Sequence, residues 1–178
     1  MYHVTSRGNR QQTIFVHDRD RRFFLGLLAI ICSHRRWACQ GYCLMSNHYH
    51  VVVETPDADL SAGMQALNGE YAHYFNAVHG TVGHLFQARF HAVLVESDPH
   101  LAELSRYLAL NPVRAGLARA ARGWRWSSYP AIAADRSSPA FVDVQAILRL
   151  FGRDPERART SFVRFVEEGE PTLSDLLR

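Results

Sequence analysis

Ser46-Asn47-His48-Tyr49-His50-Val51-Val52-Val53-Glu54 is a polar turn running into a β-branched strand, and the rest of the chain is arranged around it. Successive side chains of a strand point to opposite faces, so His48 and His50 share one face with Val52 and Glu54, while Tyr49, Val51 and Val53 share the other. Two imidazoles side by side on a strand can hold one metal ion. With ten histidines in 178 residues a His-x-His also arises readily by chance, and a pair that only packs and hydrogen-bonds is the plainer reading.

Immediately before this stretch, Trp37 to Met45 reads as a second strand, and the short Ser46-Asn47 turn makes the two an antiparallel hairpin. Cys39 and Cys43 lie four apart, hence on one strand face, which invites a zinc site with a histidine. Without a Cys-x-x-Cys pair they read better as small apolar core residues.

Further out, Tyr2 to Ser6 has strand character, and Arg7 to Gln12 reads as a basic, amide-rich loop with Gly8 free to turn. Asp18 caps a helix to about Arg36 with a broad apolar face. On the other side Pro56 closes the strand, and Asp59 or Ser61 opens a helix through Ala77. Gly80 and Gly83 mark a turn before Leu85 to Glu96, read as one long strand bent near its middle.

Ser97-Asp98-Pro99 is an N-cap with proline in the first turn, and the helix it starts is expected to stop by Asn111-Pro112. Leu101, Leu104 and Leu108 form its apolar stripe, with Tyr107 at the edge and Asn111 one turn further on. The order of elements predicts an α+β sandwich, a mainly antiparallel sheet covered by helices on one side.

Trp124 to Tyr129 is an aromatic and basic link, Asp135 to Pro139 a loop, and Asp143 to Phe151 and Asp154 to Glu168 are helices. Residues 130–178 thus read as a helical extension, with an acidic end at Glu167, Glu168 and Glu170, and residues 1–129 as the main domain.

Composition narrows the function. A hydrophobic content of 47% supports a real core. The longest apolar run, Phe23 to Cys32, is far shorter than the ~20 residues a membrane span needs. Three cysteines with no secretory signal ahead of them point to a reducing compartment, by default the cytoplasm. All 20 basic residues are arginine. Seven stand against two aspartates in residues 1–36, and Arg106, Arg114, Arg119, Arg122 and Arg125 have no acid between Leu104 and Ala134. Guanidinium forks match phosphate, so a polyanion is the partner these clusters suggest.

Thr5-Ser6-Arg7-Gly8-Asn9-Arg10, Met45 to Val53, Gly83 to Phe90, Tyr107 to Gly116 and Trp126-Ser127-Ser128-Tyr129 together resemble the single-tyrosine HUH transposases, in particular the REP-associated tyrosine transposases. The resemblance spans roughly residues 2–130 in order. Ala88 stands where glycine is expected, and the chain begins almost at the first strand.

The resemblance implies a ferredoxin-like sheet and a metal-dependent endonuclease and strand transferase acting on hairpin-flanked single-stranded DNA. His48 and His50 would be paired metal ligands, Tyr107 the nucleophile and Asn111 the third ligand. The helix spacing suits this, because Tyr107 and Asn111 share a face about 6 Å apart. A phenol with a pKa near 10 is a poor nucleophile at neutral pH, and a cation that neutralises phosphate charge answers that need. The product would be a 5′-phosphotyrosine and a free 3′-hydroxyl.

Two imidazoles and an amide favour Mn²⁺, although abundance and oxygen ligands also suit Mg²⁺. DNA would be held by Arg7, Asn9, Arg10, Arg89, Arg114, Arg119, Arg122 and Arg125, with the Trp124 and Trp126 rings available for stacking. His100 and Glu103 lie close enough on the helix to tune Tyr107, and Glu54 lies too far along the strand to be a ligand. A non-catalytic single-strand-binding regulator and a zinc-held structural domain are the competing readings. Whether the chain works as a monomer or a homodimer is left open.

Overall fold

A computed structural model describes residues 1–134 and 139–169. Its first part runs β1 (Tyr2–Arg7), α1 (Asp18–Arg35), β2 (Ala38–Leu44), β3 (His48–Glu54), α2 (Leu60–His79), β4 (His91–Leu94) and α3 (Asp98–Arg114). Three shorter helices follow, α4 (Tyr129–Ala134), α5 (Val144–Arg149) and α6 (Pro155–Glu168). The strands form one sheet in the order β2-β3-β1-β4, every pair antiparallel, which is the ferredoxin-like arrangement. No helix among the described residues is long and apolar enough to cross a membrane.

The sheet is covered on both faces rather than the expected one. On the first face Val4, Tyr49, Val51 and Val53 pack with Phe24 and Leu28 of α1 and Met64, Leu67 and Tyr71 of α2. On the second, Val52 and Cys43 pack under Leu101, Leu104 and Leu108 of α3, which Tyr129, Ile132, Ile147, Phe162 and Val166 of the last three helices cover in turn. The run Val51-Val52-Val53 alternates between two dry interiors, and a strand buried on both faces has that continuous apolar composition. Each such side chain contributes roughly 1.5–3 kcal/mol on burial.

Several local expectations change for physical reasons. A register shift between Cys39 and Gly41 inserts Gln40 as a bulge, so Cys39 faces the first core and Cys43 the second. The zinc reading loses its shared face, and among the described residues no group of three His, Cys, Asp or Glu converges to hold a metal. Only His91–Leu94 of the expected long strand is β, since the Asn68 amide takes the Arg89 carbonyl at 2.8 Å and only Phe86 bridges back, to Gly8. Helix α1 is entered from His17 rather than capped by Asp18, with the His17 amide donating to the Asp20 carboxylate at 2.7 Å.

Helix α3 runs past Pro112 to Arg114, because the missing amide falls in the last turn and the Ala115 amide still reaches the Asn111 carbonyl at 3.0 Å. The Trp124–Tyr129 link covers the outer edge of β2: the Leu44 amide donates to the Trp126 carbonyl at 2.8 Å and the Ser128 amide to the Tyr42 carbonyl at 3.0 Å. Helix α4, starting in what reads as a link, is an addition to the expected elements. Most of the expected 135–139 loop, residues 135–138, and the acidic end at Glu170 lie outside the described residues.

Candidate active site at the histidine pair

Strand β3 sets His48 and His50 on the face turned to α3, their rings 5.0 Å apart and nearly perpendicular at 85°. Leu104 and Leu108 anchor α3 on that face, which leaves Tyr107 and Asn111 over the pair. The Tyr107 ring stands edge-on to His50, centroids 5.4 Å apart, and the Asn111 amide nitrogen lies 3.0 Å from His50 Nε2. All four groups come from one chain.

The amide nitrogen donates, so Nε2 of His50 is the acceptor and its proton sits on Nδ1. There Thr5 Oγ1 lies at 3.0 Å and His3 Nε2 at 2.9 Å, with the His3 ring stacked on His50 at 5.1 Å. His48 Nδ1 contacts the side-chain oxygen of Asn47, Oδ1, at 2.7 Å. Sequence reading missed His3 and Thr5, although residues 3 and 5 of the first strand alternate in phase and pair with Val52 and His50.

The electrostatics keep this face uncharged. Burial lowers the His48 pKa to about 4, with Arg7 adding to the effect, and lowers His3 to about 4, with His91 and His100 adding. His50 is pushed well below its ordinary value by burial, then by His3, His48 and Arg7. Burial raises the Tyr107 phenol, partly offset by its hydrogen bond with Asn111 and by the charges of Arg114 and Arg7. His100 bears on His3, while Glu103 pairs with Arg106.

One pair of these donors, His50 and Asn111, has a spacing that suits a six-coordinate cation. Two ligands at right angles on an ion with bonds of about 2.1 Å stand about 3.0 Å apart. That is the separation of His50 Nε2 and the Asn111 amide, 3.0 Å, and a turn of the amide about its last torsion presents oxygen in place of nitrogen. Neutral imidazoles are the form that binds metal.

The arginines divide. Arg7 ends β1 directly opposite His48 and is exposed, so it lies at the site rather than in the following loop. Asn9 and Arg10 form a short 3-10 turn beyond it, with Arg10 exposed. Arg114 ends α3, close enough to act on Tyr107. Arg89 is exposed on the segment before β4, and Arg119 and Arg122 are exposed after α3. Arg125 is engaged in an ion pair with Asp18 and stacks on Trp126 at 4.8 Å. Trp124 and Trp126 both pack against the buried Arg21, at 5.7 and 5.6 Å, so the rings expected to stack on bases are committed to the fold. A cleft beside Tyr107 is lined by His3, Thr5, Arg7, Gln87, Phe90 and His91 among others.

Comparison with known proteins agrees with this architecture. A solved REP-associated tyrosine transposase bound to a REP hairpin superposes with a TM-score of 0.64 at 16% sequence identity, over 79% of this chain and 82% of that one. At that identity the likeness is one of fold. No curated protein matches the sequence. The family model of the IS200-like transposases matches residues 1–111, which hold the whole sheet, the histidine pair, Tyr107 and Asn111. The chain belongs to the IS200-like transposase family.

Proposed function

We propose that the protein is a metal-dependent single-stranded DNA endonuclease and strand transferase that cleaves hairpin-flanked DNA through a tyrosine ester. The observation that carries this is the placement of a tyrosine and an amide from α3 on the histidine pair, with the Tyr107 ring 5.4 Å from His50 and the Asn111 amide 3.0 Å from its Nε2.

His48, His50 and Asn111 would hold Mn²⁺ or Mg²⁺, which when bound withdraws charge from the scissile phosphate. The Tyr107 oxygen attacks the phosphorus in line and loses its proton, while the P–O3′ bond breaks and the leaving 3′-oxygen takes up a proton. The 5′-phosphotyrosine keeps the energy of the ester, and attack by a 3′-hydroxyl returns the phenol and joins strands. Arg7 and Arg114 neutralise phosphate beside Tyr107; Asn9, Arg10, Arg89, Arg119 and Arg122 extend that surface along the strand. Arg125 has its main role in the fold, through Asp18. The reaction needs no nucleotide cofactor, and the three free, buried cysteines suit the reducing cytoplasm.

The test is incubation with a labelled hairpin oligonucleotide carrying a single-stranded flank, with Mn²⁺ or Mg²⁺, followed by a denaturing gel. A covalent adduct is expected with the wild type and none with Tyr107→Phe. Binding without an adduct under either metal identifies instead a non-catalytic regulator.

A further inference from the structure

Asn47 precedes the histidine pair and touches both sides of a junction. Its amide nitrogen donates to the Gln11 carbonyl at 3.1 Å, which turns its oxygen the other way, onto His48 Nδ1 at 2.7 Å. The backbone carbonyl can only accept, so the two ends of the amide are not interchangeable here. An amide oxygen also only accepts. The proton in the second contact must therefore sit on His48 Nδ1, leaving the Nε2 lone pair free.

The Gln11 carbonyl is aimed by an unusual turn. Arg10 and Gln11 both take left-handed backbone angles, φ 51° and 60°. The turn is tied to the Ser46-Asn47 hairpin by the Gly8 amide on the Asn47 carbonyl at 2.8 Å and the Ile14 amide on the Ser46 carbonyl at 2.9 Å. A side chain at Gly8 would bring its Cβ within 2.2 Å of the Gln12 carbonyl oxygen, so only glycine lets the turn close this tightly.

We propose that Asn47 is a positioning residue that holds His48 in its Nδ1-protonated tautomer, and that the Asn9–Gln11 turn is the brace that keeps Asn47 aimed. Free neutral imidazole favours the other tautomer, with the proton on Nε2, so the assignment needs an acceptor fixed at Nδ1. The consequence for metal rests on reading His48 as a ligand; the tautomer does not.

The experiment uses metal-free protein labelled with ¹⁵N-histidine, read by long-range ¹H–¹⁵N correlation, together with Mn²⁺ titration calorimetry. Wild-type His48 is expected to show a pyrrole-type Nδ1 and a pyridine-type Nε2. In Asn47→Ala the His48 signals are expected to move toward the Nε2-protonated form, and Mn²⁺ affinity to fall about tenfold to a hundredfold. Asn47→Asp keeps an acceptor at Nδ1 and is expected to keep the wild-type tautomer. An Nε2-protonated His48 in the wild type overturns the proposal with no variant needed, as does an Asn47→Ala protein unchanged in tautomer; an Asn47→Ala protein that changes tautomer but keeps its Mn²⁺ affinity overturns only the metal reading. A wild type with the expected tautomer that binds no Mn²⁺ overturns the metal reading and leaves the tautomer assignment standing.

Discussion

His3 and His48 both lose most of their basicity on folding, chiefly through burial, which brings each to about 4. The unfolded chain, with imidazoles near their ordinary 6.5, binds more protons than the native one between about pH 4 and 6.5. Stability from these groups is complete above the upper bound and is lost as pH falls through the window. The thermal midpoint is expected to drop across that range, and less steeply in His3→Gln, which calorimetry at stepped pH would read. On the proposed function, Mn²⁺ affinity should hold through the ordinary imidazole titration. Gly8 shows a limit at this scale: the sequence marks it as a turn, but its φ is −59° and its need is space. Gly8→Ala is expected to cost about 1–3 kcal/mol in chemical denaturation, as overpacking does.

At the scale of the element, α3 was the most legible part of the chain. Its cap, its leucine stripe and the one-turn offset from Tyr107 to Asn111 follow from a period of 3.6, and the helix holds them as that period requires. Leu104→Ala is expected to cost about 2–5 kcal/mol, because Leu104 is 1% exposed between two layers. Its adduct yield should fall at temperatures where the protein is still folded, since α3 loses its seat on the sheet.

Strands were less legible. Period-two reasoning puts Cys39 and Cys43 on one face only if the ladder is unbroken, and the Gln40 bulge breaks it. Likewise β4 is short because Asn68, distant in sequence, takes a carbonyl that a ladder would have used. Helices α1 and α2 meet over a buried carboxylate: Asp20 accepts from the His17 amide, from His79 Nε2 at 3.2 Å and from the Tyr74 hydroxyl at 3.2 Å. Burial acts to raise its pKa, but the His17 amide, His79 and Tyr74 hold it below the usual carboxylate range. Asp20→Ala is expected to destabilise the pair by about 3 kcal/mol, read as a lowered denaturation midpoint.

For the whole molecule, a mainly antiparallel sheet packed with helices could be anticipated, whereas the second cover could not be placed from element order. One signal was present in Val51-Val52-Val53, three consecutive apolar residues where a one-sided sheet would alternate. Helices α4, α5 and α6 share the core of α3 through Tyr129, Ile132, Ile147 and Phe162. A chain ending at residue 128 would expose the back of α3, and it is expected to melt lower and aggregate, as static light scattering during heating would show.

The helix that bears the tyrosine is thus held between the sheet and a further layer, and this sets a clock. In deuterium oxide, amide protons near Leu104 and Leu108 should exchange only through opening of the entire fold, among the slowest in the chain. Those between Gly80 and Phe90, with few backbone partners, should exchange early. On the proposed function, a hairpin ligand that slows the second group while leaving the first unchanged would mean that the DNA arrives at a rigid Tyr107, and that adaptation belongs to the segment facing it.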